Sequence, residues 1–273
     1  MMKLKTKRRL KNALKIIVAL YLVGGIALWY LQDTIFFHPR KIRAGEAFQF
    51  KGPHEEVNIP VDASSVLNFV KFFPADTAST RGIVLYFHGN RENINRYATA
   101  STWFTKHGYE VWMPDYPGFG KTTGKFSEER LYDDAHVLYK LASKRFSASQ
   151  MIIYGRSLGT GVATELASNQ ACNRLILETP YYSLTELAGA HFPMYPVKFL
   201  VRYKIPLYEY LQMVKVPVTI FHGTNDAVIP YKHSSRLKPL LKKGDEFITI
   251  EDGKHNNLGN YDLFQRKLDS LLR

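Results

Sequence analysis

Ile152-Ile153-Tyr154-Gly155-Arg156-Ser157-Leu158-Gly159-Thr160-Gly161 reads as strand, turn and helix in a single run. Met151 to Tyr154 is short, apolar, and rich in β-branched and aromatic side chains, as a buried strand requires. Val162-Ala163-Thr164-Glu165-Leu166-Ala167 continues as a helix. Between them lies Gly-x-Ser-x-Gly. A serine on so sharp a turn adopts a strained backbone that projects its hydroxyl outward, and flanking side chains would collide with strand and helix. The same turn sets the Leu158 backbone N–H at a helix N-terminus, where it can hold a developing oxyanion. Such a turn needs a base, an acid and a second oxyanion donor from elsewhere in the chain.

The 273 residues suffice for one sizeable α/β domain with a filled core. The net charge of +13 is concentrated at one end. Lys3, Lys5, Lys7, Arg8, Arg9, Lys11 and Lys15 fall in a stretch without acids; 13 less these 7 leaves +6 for everything downstream. No nucleic-acid reader motif accompanies the charge. One cysteine, Cys172, excludes an intramolecular disulfide and leaves the compartment open.

Ile16 to Leu31 is uncharged and apolar. Ala13 and Leu14 extend it toward the ~20 residues that cross hydrocarbon if Lys15 snorkels. Trp29 and Tyr30 stand where an interfacial anchor belongs. A cleaved signal peptide needs small residues at its cut site, which Leu28 to Asp33 lacks. A core helix would not be apolar all round behind seven cations. The expectation is a basic cytoplasmic N-terminus over residues 1–15, an anchor over 13–32, and a juxtamembrane connector over 33–56. Positive charge ahead of the span outweighs Arg40, Lys41, Arg43 and Lys51 after it, which places the catalytic domain on the extracytoplasmic side of the membrane, periplasmic or lumenal.

From Val57 onward the pattern predicts an antiparallel pair, then alternating strands and helices to residue 273, the signature of a mostly parallel sheet flanked by helices. Active residues of such a sheet gather where strands end. Asp226 follows the strand ending at Gly223, and His255 follows the strand ending at Ile250. The order Ser157, Asp226, His255 supplies nucleophile, acid and base in turn. His88-Gly89-Asn90 closes another strand, and its tight turn leaves the Asn90 backbone N–H as second oxyanion donor. Glu178, also at a strand end, is the less favoured acid. Asp115-Tyr-Pro-Gly-Phe-Gly120 reads as a structural turn below the site.

With these motifs, together with Gly223-Thr-Asn-Asp-Ala-Val-Ile-Pro230 and Gly253-Lys-His-Asn256, the chain from about residue 57 resembles the α/β-hydrolase superfamily. Within it, the chain most resembles membrane-anchored prolyl-oligopeptidase-like or serine-aminopeptidase-like hydrolases. The resemblance implies an α/β-hydrolase fold, and the segment over about 180–215 reads as a small cap on it. It also implies Ser157, Asp226 and His255 as a triad, and Asn90 and Leu158 as oxyanion donors. One departure stands out: Arg91-Glu92 follow His-Gly-Asn, where related sequences often carry small residues.

The cap segment holds Tyr181, Tyr182, Phe192, Tyr195, Phe199, Tyr203, Tyr208 and Tyr210. These could wall an apolar acyl pocket or simply pack the cap onto the sheet. The expectation drawn from the whole is a membrane-anchored serine hydrolase acting on a small or lipid-like acyl ester or thioester, needing no metal or organic cofactor. A serine peptidase and a silent scaffold are the alternatives.

Overall fold

A computed structural model describes the backbone of residues 2–43, 45–77 and 80–273 and the side chains from residue 6 on; Lys3 and Lys5 lie outside the described side chains. Eight strands form one sheet: β1 (His54–Pro60), β2 (Val66–Phe72), β3 (Gly82–Phe87), β4 (Tyr109–Pro114), β5 (Met151–Arg156), β6 (Arg174–Glu178), β7 (Val218–Gly223) and β8 (Glu246–Ile250). Their order across the sheet is β1-β2-β4-β3-β5-β6-β7-β8. β2 runs antiparallel to both β1 and β4, and every other pairing is parallel.

The apolar strand runs follow from burial on both faces. In β3, Ile83, Leu85 and Phe87 enter one core cluster while Val84 and Tyr86 enter the other. In β5, Met151 and Ile153 alternate likewise with Ile152 and Tyr154. Four helices are labelled in chain order: α1 (Met2–Phe36), α2 (Glu128–Ala142), α3 (Leu158–Asn169) and α4 (Asp262–Leu271). α2 and α3 cover one face through Leu131, Leu138, Val162 and Leu166. α4 and three consecutive short helical pieces spanning Ile94–Thr105 cover the other through Phe264, Leu268 and Phe104. Ser127 starts α2 by accepting a hydrogen bond from the Arg130 N–H at 3.1 Å, which satisfies one of the donors a helix start leaves free.

The chain passes from β3 to β4 on one side and later to β5 on the other. The crevice therefore opens at the carboxyl ends of β3 and β5, where the strand order reverses. His88-Gly89-Asn90 and Ser157 come out together at this point.

The cap comprises the short helices Leu184–His191, Val197–Leu200 and Leu207–Met213. Its aromatics serve mostly as packing. Tyr181 and Tyr203 are buried, and Tyr182 stacks face to face on Tyr208 at 4.5 Å. Arg236 lies over the Tyr182 ring at 3.8 Å and pairs with Glu186. His233 accepts the Tyr182 backbone N–H at Nδ1, 3.2 Å away, and its Nε2 is buried without a partner. Burial first, and then the Arg236 charge, lower its pKa from 6.5 to about 4 against weaker opposition from Glu186. The unfolded chain then takes up a proton near pH 6.5 that the folded chain refuses until about pH 4. This contribution to stability is full above pH 6.5 and is lost as pH falls through the folded value. The urea midpoint is expected to fall between pH 7 and pH 4.5, and to fall less in His233→Gln.

Two boundaries differ from the sequence pattern. The sheet starts at His54, because Glu56 and Val57 pair across the strand with Val70 and Phe69. The helix runs on to Phe36, and the segment expected as a connector is docked: Phe37 and Phe48 are buried, and Phe37 packs on Phe126 at 4.2 Å.

Candidate active site

The turn after β5 holds Ser157 at φ 51° and ψ −118°, a conformation costly for a non-glycine residue and enforced here by its neighbours. A Cβ at Gly155 would lie 2.5 Å from the Gly159 carbonyl oxygen. One at Gly159 would lie 2.0 Å from the Phe87 carbonyl oxygen. Only glycine allows α3, β5 and the end of β3 to approach this closely. The Ser157 N–H donates to Glu178 O at 2.9 Å, which fixes the turn against β6.

Ser157 Oγ lies 3.0 Å from His255 Nε2, and His255 Nδ1 lies 2.7 Å from Asp226 Oδ2. The three side chains, from the ends of β5, β7 and β8, thus form one hydrogen-bonded chain. Asp226 Oδ1 accepts the backbone N–H groups of Val228 and Ile229, each at 2.8 Å, which locks the carboxylate plane. Burial opposes ionisation of Asp226, but the His255 hydrogen bond and charge, helped by the Ile229 N–H, outweigh it and hold its pKa below the usual value. His222 lies beneath with Nε2 bonded to Ile229 O at 2.9 Å, and burial lowers its pKa despite the nearby Asp226.

The His88-Gly89-Asn90 turn is anchored from below. His88 is fully buried, with Nε2 at 3.2 Å from Asp115 Oδ1, and the same oxygen accepts the Ile94 N–H at 3.1 Å. Burial raises the Asp115 pKa against the opposing pull of His88. Tyr116 Oη donates to His88 O at 2.7 Å. Hence Asp115 and Tyr116 are scaffold for the turn. A Cβ at Gly89 would sit 3.4 Å from Ser157 Cβ, so the turn lies directly against the serine. The described hydrogen bonds give neither the Asn90 nor the Leu158 backbone N–H an acceptor within the protein.

Arg91-Glu92 have a structural task that the sequence did not signal. They pair in parallel with His38-Pro39, immediately after α1. His38 N–H donates to Asn90 O at 2.9 Å, and Arg40 N–H to Glu92 O at 2.9 Å. The Asn90 amide donates to Phe36 O, in the last turn of α1, at 2.6 Å, and the Asn93 amide to Arg40 O at 2.8 Å. Glu92, at φ 60°, bends the strand away. Pairings two residues long leave no hydrophobic period, so nothing in the sequence marked this clamp.

Glu178 does not reach the imidazole. Its carboxylate accepts the Tyr154 hydroxyl at 2.6 Å and faces Arg156 Nε at 3.4 Å. Beside Arg156 and Asn256, the chain neighbours of Ser157 and His255, opens a cavity of about 390 Å³. Arg96, Tyr97 and Trp103 also line it, along with Glu178. It is polar, and it is not walled by the cap aromatics.

The comparisons agree with this architecture. A family described as "Serine aminopeptidase, S33" matches residues 78–203. An esterase of Pyrococcus furiosus superposes with TM-score 0.67 at 16% identity, over 87% of this chain and 96% of the other. Est1E from Butyrivibrio proteoclasticus does so with TM-score 0.65 at 15% identity, over 80% and 97%. The chain has the α/β-hydrolase fold. Among its curated relatives are the uncharacterized protein YfhR of Escherichia coli, 27% identical over 67% of this chain, and alpha/beta hydrolase domain-containing protein 17C of Xenopus tropicalis, 28% identical over 71%. The matches span 65% and 62% of those two relatives, slightly under two thirds.

Proposed function

We propose that this α/β-hydrolase is a membrane-anchored serine hydrolase that cleaves carboxylic esters or thioesters through an acyl-enzyme. The observation that carries the reading is the unbroken chain Ser157 Oγ, His255, Asp226 at 3.0 and 2.7 Å on a strained elbow. Ser157 Oγ attacks the substrate carbonyl and passes its proton to His255 Nε2. Asp226 holds the imidazole tautomer and stabilises the imidazolium. The Asn90 and Leu158 N–H groups receive the oxyanion, a term worth roughly 3 to 4 kcal/mol per donor in comparable sites. Collapse expels the alcohol or thiol, protonated by His255. Water then attacks the acyl carbonyl, giving its proton to the same nitrogen, and Ser157 is regenerated with release of the acid.

Peptide hydrolysis is the second reading, supported by the family's description. An aminopeptidase must hold its substrate's ammonium, and an unpaired buried cation is costly. In the cavity beside the triad the carboxylate present, Glu178, already faces Arg156 and Tyr154, and the Arg96 guanidinium is itself paired with Glu92. That balance favours esters, which also carry the better leaving group. p-Nitrophenyl acyl esters are expected to turn over, with weak or absent cleavage of aminoacyl amides. Faster turnover of the amides at matched concentration would transfer the assignment to a peptidase.

The membrane reading rests on α1, whose residues 6–36 are long and apolar enough to cross a bilayer. Its cationic start sets the orientation with the catalytic domain on the extracytoplasmic side. Full-length protein is expected to resist carbonate extraction, with residue 273 reported on that side. Digestion of the domain by protease added only to the cytoplasmic face would reverse the orientation.

A further inference from the structure

Scattered exposed apolar side chains are ordinary on a soluble surface. Outside α1, however, the two most exposed large apolar residues described are Phe199 at 83% and Met194 at 69%, five positions apart in one cap segment. That segment, Phe192 to Leu200, is the part of the cap that leans on α1. Tyr195 stacks on Tyr21 with ring centroids 4.9 Å apart. It fits because Gly24 has no side chain: a Cβ there would lie 2.0 Å from the Tyr195 oxygen. Leu28 is buried one turn further along, and the Gln32 amide donates to Leu200 O at 3.3 Å while its oxygen accepts the Arg202 N–H at 2.7 Å. Tyr21, Gly24 or Gly25, Leu28 and Gln32 recur at helical spacing, so one stripe of α1 faces the cap while Leu22, Val23, Ile26 and Tyr30 stay exposed.

The depth of this contact follows from helix geometry. Asp33 pairs with Arg202 at 2.8 Å and with the Tyr203 hydroxyl at 2.5 Å, a polar belt at the domain end of the apolar run. Tyr21 is eight residues nearer the cationic terminus than Trp29, about 12 Å along a helix rising 1.5 Å per residue. If Trp29 and Tyr30 mark the headgroup level, whatever packs on Tyr21 lies below it. A groove of about 360 Å³ between Tyr21, Ile26 and Trp29 on α1 and Tyr195, Pro196 and Leu200 on the cap is almost wholly apolar.

We infer that the cap segment Phe192–Leu200 is a second membrane contact, seated in the lipid leaflet on the domain's side with Met194 and Phe199 among the acyl chains. The inference rests on the reading of α1 as a membrane span. Lys198, exposed on the same segment, has a stem long enough to carry its ammonium back to the headgroups. The bilayer thus covers the bare apolar faces of helix and cap together, and the cap, which borders Ser157 through the Tyr181 hydroxyl bond to Leu158 O, is held at the lipid surface.

Nitroxide depth quenching in the full chain tests this. Cys172 is buried and replaced by serine, and single cysteines at Phe199→Cys, Leu22→Cys and Lys144→Cys carry an environment-sensitive fluorophore. The proteins are reconstituted in phosphatidylcholine–phosphatidylglycerol vesicles containing acyl-chain nitroxide lipids. The probe at 199 is expected to be blue-shifted and quenched several-fold, as at 22, and the probe at 144 neither. Quenching at 22 without quenching at 199 overturns the cap's seat while the anchor stands. No quenching at 22 removes the anchor and this inference with it.

Discussion

Alanine at position 157 is expected to lower kcat for acyl ester hydrolysis by roughly 10⁶, the order found when such a nucleophile is removed from a serine hydrolase. The backbone at 157 keeps its positive φ because Gly155 and Gly159, not the serine side chain, permit the close approach of α3 to β3 and β5. The Ser157 N–H bond to Glu178 O also survives the change. The variant should therefore fold like the parent, with an unchanged thermal midpoint, and should lose labelling by a fluorophosphonate. Retained labelling in folded Ser157→Ala would place the nucleophile elsewhere.

Asp226→Asn should lower kcat by about 10⁴. The geometry gives the reason. Asp226 Oδ1 accepts two backbone N–H groups, so an asparagine must put its carbonyl oxygen there and turn its NH₂ toward His255. A donor facing Nδ1 forces the imidazole proton onto Nε2, the nitrogen that has to accept the proton of Ser157. Glu178→Gln should behave differently. It weakens a buried pairing with Arg156, and breaking a buried pair costs about 3–5 kcal/mol, so the loss should appear in the thermal midpoint rather than in kcat. The opposite ranking in folded protein would make Glu178 the acid.

Much of this arrangement was legible because its signals are local. A strand running into Gly-x-Ser-x-Gly and a helix allows few other foldings, and the eight strand segments carry either two-residue alternation or unbroken apolar runs. Asp226 and His255 were readable as strand-end residues, though only the fold brings His255 within 3.0 Å of Ser157. The cap aromatics were ambiguous, since burial and pocket lining need the same side chains. The cavity beside the triad draws on the stretch Arg96–Trp103, on Arg156 and on the loop after β8, which no sequence period joins. The stretch from Phe37 to Arg43 was read as a connector because it has no pattern. Its order comes instead from single backbone bonds to Asn90, Glu92 and Gly120.

Those bonds bear on how the protein can be cut and recombined. A tether can be exchanged for any other of the same length, but here the Phe36 carbonyl receives the Asn90 amide, and His38 and Arg40 are laced to the strand that follows it. A chimera with a foreign anchor, or a water-soluble truncation, has its proper junction on the N-terminal side of Gln32, whose side chain already belongs to the cap. A junction placed at residue 56, where the pattern alone suggests a domain edge, removes the outer brace of the Asn90 turn. Such a protein would keep Ser157, Asp226 and His255 in register on their strands while the partner of the Leu158 N–H drifts.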